Sequence, residues 1–136
     1  MKNKYFFPAY IFGTLILIGS SLNPEKFEKV QKYSDFFEKV LSDYSLHFFA
    51  FGILTVLLFY GFYKIKKSPL PFLRIGLYSI VYGMFIEIYQ ILYPYREFNL
   101  EDIMSDAVGI IFFLVLLKVF IVRKKKSEKE GTGNFS

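Results

Sequence analysis

The sequence predicts an all-α fold, an integral membrane bundle of four transmembrane helices with an amphipathic helix in the first loop. Three observations carry this reading. The 136-residue chain is 54% hydrophobic and 21% aromatic, well above a soluble domain of this size. Its apolar residues gather in four stretches, 5–22, 46–63, 72–93 and 103–122. Its basic residues collect where the chain leaves those stretches.

The four stretches hold 18, 18, 22 and 20 residues. At about 1.5 Å per residue each reaches roughly 27–33 Å as a helix, enough to cross a hydrocarbon core about 30 Å thick. A soluble four-helix bundle would carry a charged face on every helix. The second stretch has no charge between His47 and Lys64, which argues against that alternative. The first stretch follows a basic start and ends in Gly19-Ser20-Ser21, small enough to resemble a signal-peptide cleavage site. Its length exceeds the usual apolar region of about 7–15 residues, so a retained helix is expected. Residues 1–122 form one membrane domain, and residues 123–136 form a polar, basic tail whose composition predicts disorder.

Charge orients the bundle. Lys2 and Lys4 precede helix 1, and Lys64, Lys66, Lys67 and Arg74 flank the turn between helices 2 and 3. Lys118, Arg123, Lys124, Lys125, Lys126 and Lys129 close the chain. Twelve of the seventeen basic residues thus fall on one side. The other side holds Lys26, Lys29, Lys32, Lys39 and Arg96 together with Glu25, Glu28, Asp35, Glu38, Asp43, Glu97, Glu101 and Asp102. The positive-inside rule places both termini of this multi-pass protein in the cytoplasm. Lys118, inside the last stretch, can snorkel to the interface. The net charge of +5 is therefore topogenic, and no nucleic-acid partner is expected.

The connections differ in character. Asn23-Pro24-Glu25 has the pattern of an N-cap, a proline at the first helical position and an acid in the first turn. Phe27, Val30, Phe37, Val40 and Leu41 follow at helical spacing with charges between them, as in an amphipathic helix lying on the outer leaflet or packed over the bundle mouth. Residues 64–71, with Pro69 and Pro71, make a tight turn. Tyr89, Tyr93, Tyr95 and Phe98 bracket the third connection as an interfacial aromatic belt.

Polar residues inside a bilayer are expensive and point toward partners. Ser79, Gly83, Glu87 and Gln90 share one face of helix 3. Ser79 and Gly83 make a small-xxx-small step for close helix approach, which turns Glu87 toward a neighbouring helix. Asp102, Asp106 and Gly109 share a face of helix 4, and Asp43 and His47 open helix 2. All of these lie in the same halves of their helices. Asp102, and Asp43 with it, can be read more simply as helix caps, Gln90 as interhelical glue, and Arg96 as a solvated charge. Glu87, about four residues inside its helix, needs a partner or a proton. The expected functional cluster is Asp43, His47, Glu87, Gln90, Arg96, Asp102 and Asp106, with Ser79, Gly83 and Gly109 as packing positions.

In this order and spacing the residues resemble the VanZ-like family of small membrane proteins. The matching elements are Asp43-x-x-x-His47-Phe48, Gly83-x-x-x-Glu87-x-x-Gln90, and then Arg96, Asp102, Asp106 and Gly109, with Ser20-Ser21 ending helix 1. The resemblance covers nearly everything except the tail. Two positions depart: Tyr44 stands where the family often has lysine, and Asp106 where it often has asparagine. The second adds a negative charge beside Glu87, to be offset by a proton, a shared cation or Arg96. The family's namesake is associated with low-level resistance to teicoplanin, a lipoglycopeptide, so the resemblance implies a role in the cell envelope.

Four functions compete. The favoured one is a non-enzymatic envelope protein that binds or excludes an amphiphile at the outer leaflet, with membrane lipids as its surroundings. The runner-up is an enzyme on a lipid-linked substrate, with Glu87 or His47 as general base. A divalent-cation site from Asp43, His47, Glu87 and Asp106 has acceptable ligand types but matches no zinc-motif spacing, so no metal or cofactor is expected. Without cysteine, disulfides and thiolate chemistry are excluded. A through-membrane ion path lacks polar residues in the other halves of helices 2 and 4.

Overall fold

A computed structural model describes residues 2–23, 43–66 and 72–132 of the chain. Every regular element among them is helical. A 3-10 turn, Lys2–Phe6, leads into α1, Phe7–Ser20. Three longer helices follow: α2, Asp43–Lys66, α3, Phe72–Gln90, and α4, Leu100–Thr132. The amphipathic helix expected within residues 24–42 lies outside the described residues.

Three segments are long and apolar enough to cross a membrane: Tyr44–Ile65, Phe72–Gln90 and Leu100–Lys124. The fourth, Lys4–Ser20, is a shorter apolar helix. Pro8 sits in its first turn, where a missing N–H costs nothing. It stops at Ser20, two residues before the end of the apolar run. Ser21 and Leu22 turn back instead, their N–H groups donating to the carbonyls of Ile18 and Gly19.

The helices are arranged inside out relative to a soluble bundle. Ile88, Val81 and Ile111, all within spans, are 59%, 55% and 58% exposed. In water such a continuous apolar surface would drive association, whereas hydrocarbon solvates it. The interior combines Ala9, Phe51, Leu54, Ile86 and Ile110 with a polar column described below. The chain is a multi-pass membrane protein.

The α2–α4 pair has the most extensive contact in the bundle, and glycine makes it possible. A Cβ at position 109 would collide with the backbone carbonyl of Phe48, and one at 52 with the ring of Phe113. At Gly109 the backbones of α2 and α4 therefore meet with no side chain between them. α1 joins the bundle through polar ties. The Tyr82 hydroxyl donates to the Gly13 carbonyl at 2.6 Å, and the Tyr95 hydroxyl to that of Ser21 at 2.7 Å.

α4 extends beyond the expected boundary at 122. Residues 123–132, whose composition predicts disorder, continue the helix to Thr132. Lysine and glutamate are good helix formers, and neither proline nor glycine interrupts them before Gly131. At about 1.5 Å per residue, a helix of 33 residues is roughly 50 Å long and outruns the hydrocarbon core.

Candidate functional site: an acidic cluster around His47

Three helix ends and one loop build the site. The first turns of α2 bring His47, the last turns of α3 bring Glu87 and Gln90, and the first turns of α4 bring Asp102 and Asp106. The loop 91–99 closes over them and is tied down at both ends. The N–H of Tyr93 donates to Gln90 and that of Arg96 to Tyr93, while Asn99 caps α4 by accepting the N–H of Glu101 at 2.9 Å. The cap is therefore Asn99 and not Asp102, which frees Asp102 to turn inward, where it is buried.

His47 is the centre of the cluster. Its Nδ1 lies 2.9 Å from Asp106 Oδ1, and its Nε2 lies 3.8 Å from Asp102 Oδ2. The first distance is a hydrogen bond, which fixes the ring's orientation. The second is too long for one. Glu87 has no exposed surface, and its Oε2 accepts the backbone N–H of Asn99 at 3.2 Å. Its Oε1 and Asp106 Oδ2 are buried without a hydrogen-bond partner. Gln90 is buried one turn beyond Glu87.

The packing positions on α3 have distinct tasks. Ser79 is buried beside Thr55 of α2, the two hydroxyl oxygens 3.3 Å apart, and Thr55 also donates to the Phe51 carbonyl at 2.7 Å. Thr55 was not singled out from the sequence. It stands alone in a charge-free run, and only its position opposite Ser79 gives it meaning. Gly83 does more than permit helix contact. A Cβ there would stand 2.7 Å from Asp106 Oδ2 and 3.3 Å from the Phe51 ring, so the absent side chain is the space the Asp106 carboxylate occupies.

Two expected members behave differently. Arg96 is half-buried and reaches away from the carboxylates: its terminal nitrogen donates to the Leu22 carbonyl at 3.2 Å. The ion pairs among the described residues all involve His47, and none involves Arg96. The arginine fastens the loop to the end of α1 and does not neutralise Glu87. Asp43 is the first residue of α2, and its side chain lies outside what the structure describes. Beside the cluster, the Tyr44 hydroxyl donates to the Glu101 carboxylate, joining the first turns of α2 and α4.

The aromatic rim also carries bonds that composition alone does not reveal. The hydroxyls of Tyr89 and Tyr93 are 2.6 Å apart, and Ser21 donates to Tyr89 at 3.3 Å. Further along the bundle, an apolar groove of about 580 Å³ is lined by residues that include Ala9, Gly13, Leu54, Leu58, Tyr78 and Tyr82.

A family model described as VanZ/LLP1 matches residues 6–121, which span all four apolar helices and every residue of the cluster. No curated protein and no solved structure matches the chain.

Proposed function

The chain belongs to the VanZ/LLP1 family, and from that premise we propose that it is an envelope protein that binds or excludes an amphiphile at the outer leaflet. The cluster around His47 meets the polar headgroup, and the apolar groove beside α1 offers a surface for an acyl chain. The observation that carries this reading is the convergence, at one end of the bundle, of buried carboxylates from α3 and α4 on the part-buried His47 of α2. Scattered structural polar groups would not share a depth, and buried carboxylates are costly enough that a function is their usual reason. The charge distribution supports placing that end outward, with both termini cytoplasmic. Tolerance to teicoplanin is one consequence this site can have, because that drug carries an acyl chain.

A photoreactive lipid analogue in native membranes tests the proposal. It should attach near Glu87, and attachment should fall sharply in Glu87→Leu while the protein still accumulates. A buried carboxyl with a purely structural role can be replaced by a well-packed apolar group at little cost. Attachment spread evenly over the lipid-facing surface, unchanged in Glu87→Leu, would sink the reading.

One observation favours the alternative of an enzyme on a lipid-linked substrate. Asp106 holds His47 through Nδ1, which leaves Nε2 available as a general base. Turnover of a lipid-linked envelope precursor that is lost in His47→Ala would select this alternative.

A further inference from the structure

Among the described residues, the cluster holds more carboxylates than cationic side chains. Glu87, Asp102 and Asp106 bring three carboxylates into a buried space with one histidine, and Arg96 is engaged with the Leu22 carbonyl. We propose that His47, Glu87 and Asp102 bind one divalent transition-metal ion, best matched by zinc, with Asp106 holding the histidine in its ligating orientation.

The geometry has the parts of such a site. His47, Glu87 and Asp102 each offer one ligand atom, and these atoms lie within 4.8 Å of one another. They come from α2, α3 and α4, so the ion would join three helices. Asp106 stands apart in function. By accepting a hydrogen bond from His47 Nδ1 at 2.9 Å, it leaves the lone pair on Nε2, the nitrogen that faces Asp102. This is the carboxylate–histidine–metal relay that orients metal-bound imidazoles.

The 3.8 Å between His47 Nε2 and Asp102 Oδ2 fits the same picture. It is too long for a hydrogen bond. Two ligands at about 2.0–2.2 Å from a shared tetrahedral ion stand roughly 3.5 Å apart, so this pair needs only a small contraction, and the trio, whose atoms lie within 4.8 Å of one another, draws in further around an ion. An independent sign comes from Glu87. It is wholly buried, its Oε2 is satisfied by Asn99, and its Oε1 has no hydrogen-bond partner. A buried carboxylate oxygen in that state is costly, and a cation bound by the Glu87 carboxylate would relieve that cost.

The ligand set narrows the metal. One imidazole and two carboxylates suit zinc, which also outranks manganese for such donors. Calcium takes six to eight oxygen ligands, and magnesium keeps most of its water in an octahedral shell. Three protein ligands would leave a fourth position open, as in zinc sites that hold water or a ligand. This assignment does not depend on what the cluster receives, since the metal can be counted with no amphiphile present.

The test uses the full chain in lipid nanodiscs, purified with a tag free of histidine and stripped with a chelator. The single histidine and the absence of cysteine leave few competing zinc ligands. Dialysis against micromolar Zn²⁺ followed by elemental analysis should give one zinc per chain, unchanged by millimolar Mg²⁺ or Ca²⁺. His47→Ala and Glu87→Gln should each weaken binding at least about 100-fold, and Asp106→Asn by about 10–100-fold with one-to-one binding kept at saturation. Because a variant can fail to fold, the wild type is also read alone: zinc should raise its midpoint of thermal unfolding in proportion to site occupancy. Wild-type protein that takes up no zinc would overturn the proposal and leave a shared proton as the neutralising agent. Binding retained in both His47→Ala and Glu87→Gln would overturn it as well.

Discussion

Gly83 and Asp106 share one small space between α3 and α4: a Cβ added to the glycine would stand 2.7 Å from Asp106 Oδ2. Asp106 in turn is bound to His47 through its other oxygen, at 2.9 Å. A substitution at position 83 therefore reaches His47 through a carboxylate that cannot retreat far, because aspartate has only one methylene.

Gly83→Ala should accordingly damage the site before it damages the bundle. The expected outcome is normal accumulation in membranes with weakened capture of the lipid analogue, and about a tenfold loss in zinc affinity through misplacement of His47. Crosslinking yield and metal titration on the same preparation check this. A variant that fails to accumulate would instead make Gly83 chiefly a helix-packing residue.

Gly109 should behave in the opposite way. Its missing Cβ makes room for the Phe48 backbone carbonyl, which cannot move without shifting α2. Gly109→Ala should cost about 1–3 kcal/mol of stability, or more if the two helices must separate. Gly19→Ala is the matched control, because nothing lies within 4 Å of its added Cβ, and it should leave the thermal midpoint nearly unchanged. Equal shifts for the two variants would contradict the α2–α4 contact.

The proposed orientation is open to a direct labelling experiment. Cysteines at Ser34 and at Ser127 in this cysteine-free chain should respond differently to an impermeant thiol reagent on intact cells. Position 34 should label and position 127 should be protected, because basic residues favour the side of the termini. Labelling at 127 without 34 would reverse the bundle.

The proposed envelope role predicts a difference between two drugs. Expressed in a susceptible Gram-positive host, the protein should shift tolerance to teicoplanin more than to vancomycin, which has no acyl tail. An acyl chain contributes roughly 0.8 kcal/mol per buried CH₂ to membrane anchoring, and a protein acting at the outer leaflet can oppose only a drug anchored there. The shift should vanish in His47→Ala or Glu87→Ala that still accumulates. Equal shifts for both drugs would indicate a general change in the wall and favour the enzyme.

Much of the fold was legible because hydropathy and charge are written along the chain. The helix ends were less so. α1 turns at Ser20 because Ser21 and Leu22 bond back to it, and α4 starts under Asn99 because that side chain can reach the N–H of Glu101. Such endings depend on local geometry that an apolar count does not register.

The sequence by itself determined the membrane character, the four apolar segments and the pool of residues from which a site could be built. Hydrocarbon penalises every exposed polar group, so the long apolar runs and the spacing of Ser79, Gly83 and Glu87 on one face follow from the chain alone. Tertiary structure decided which of those residues meet. The rotation of α2 against α4, set by Gly109 on the Phe48 carbonyl, places His47 between Asp102 and Asp106. The path of the third loop sends Arg96 to Leu22 and not to Glu87. A helix can turn its polar face to any neighbour at the same depth, and only the packed contacts of the other helices choose among them.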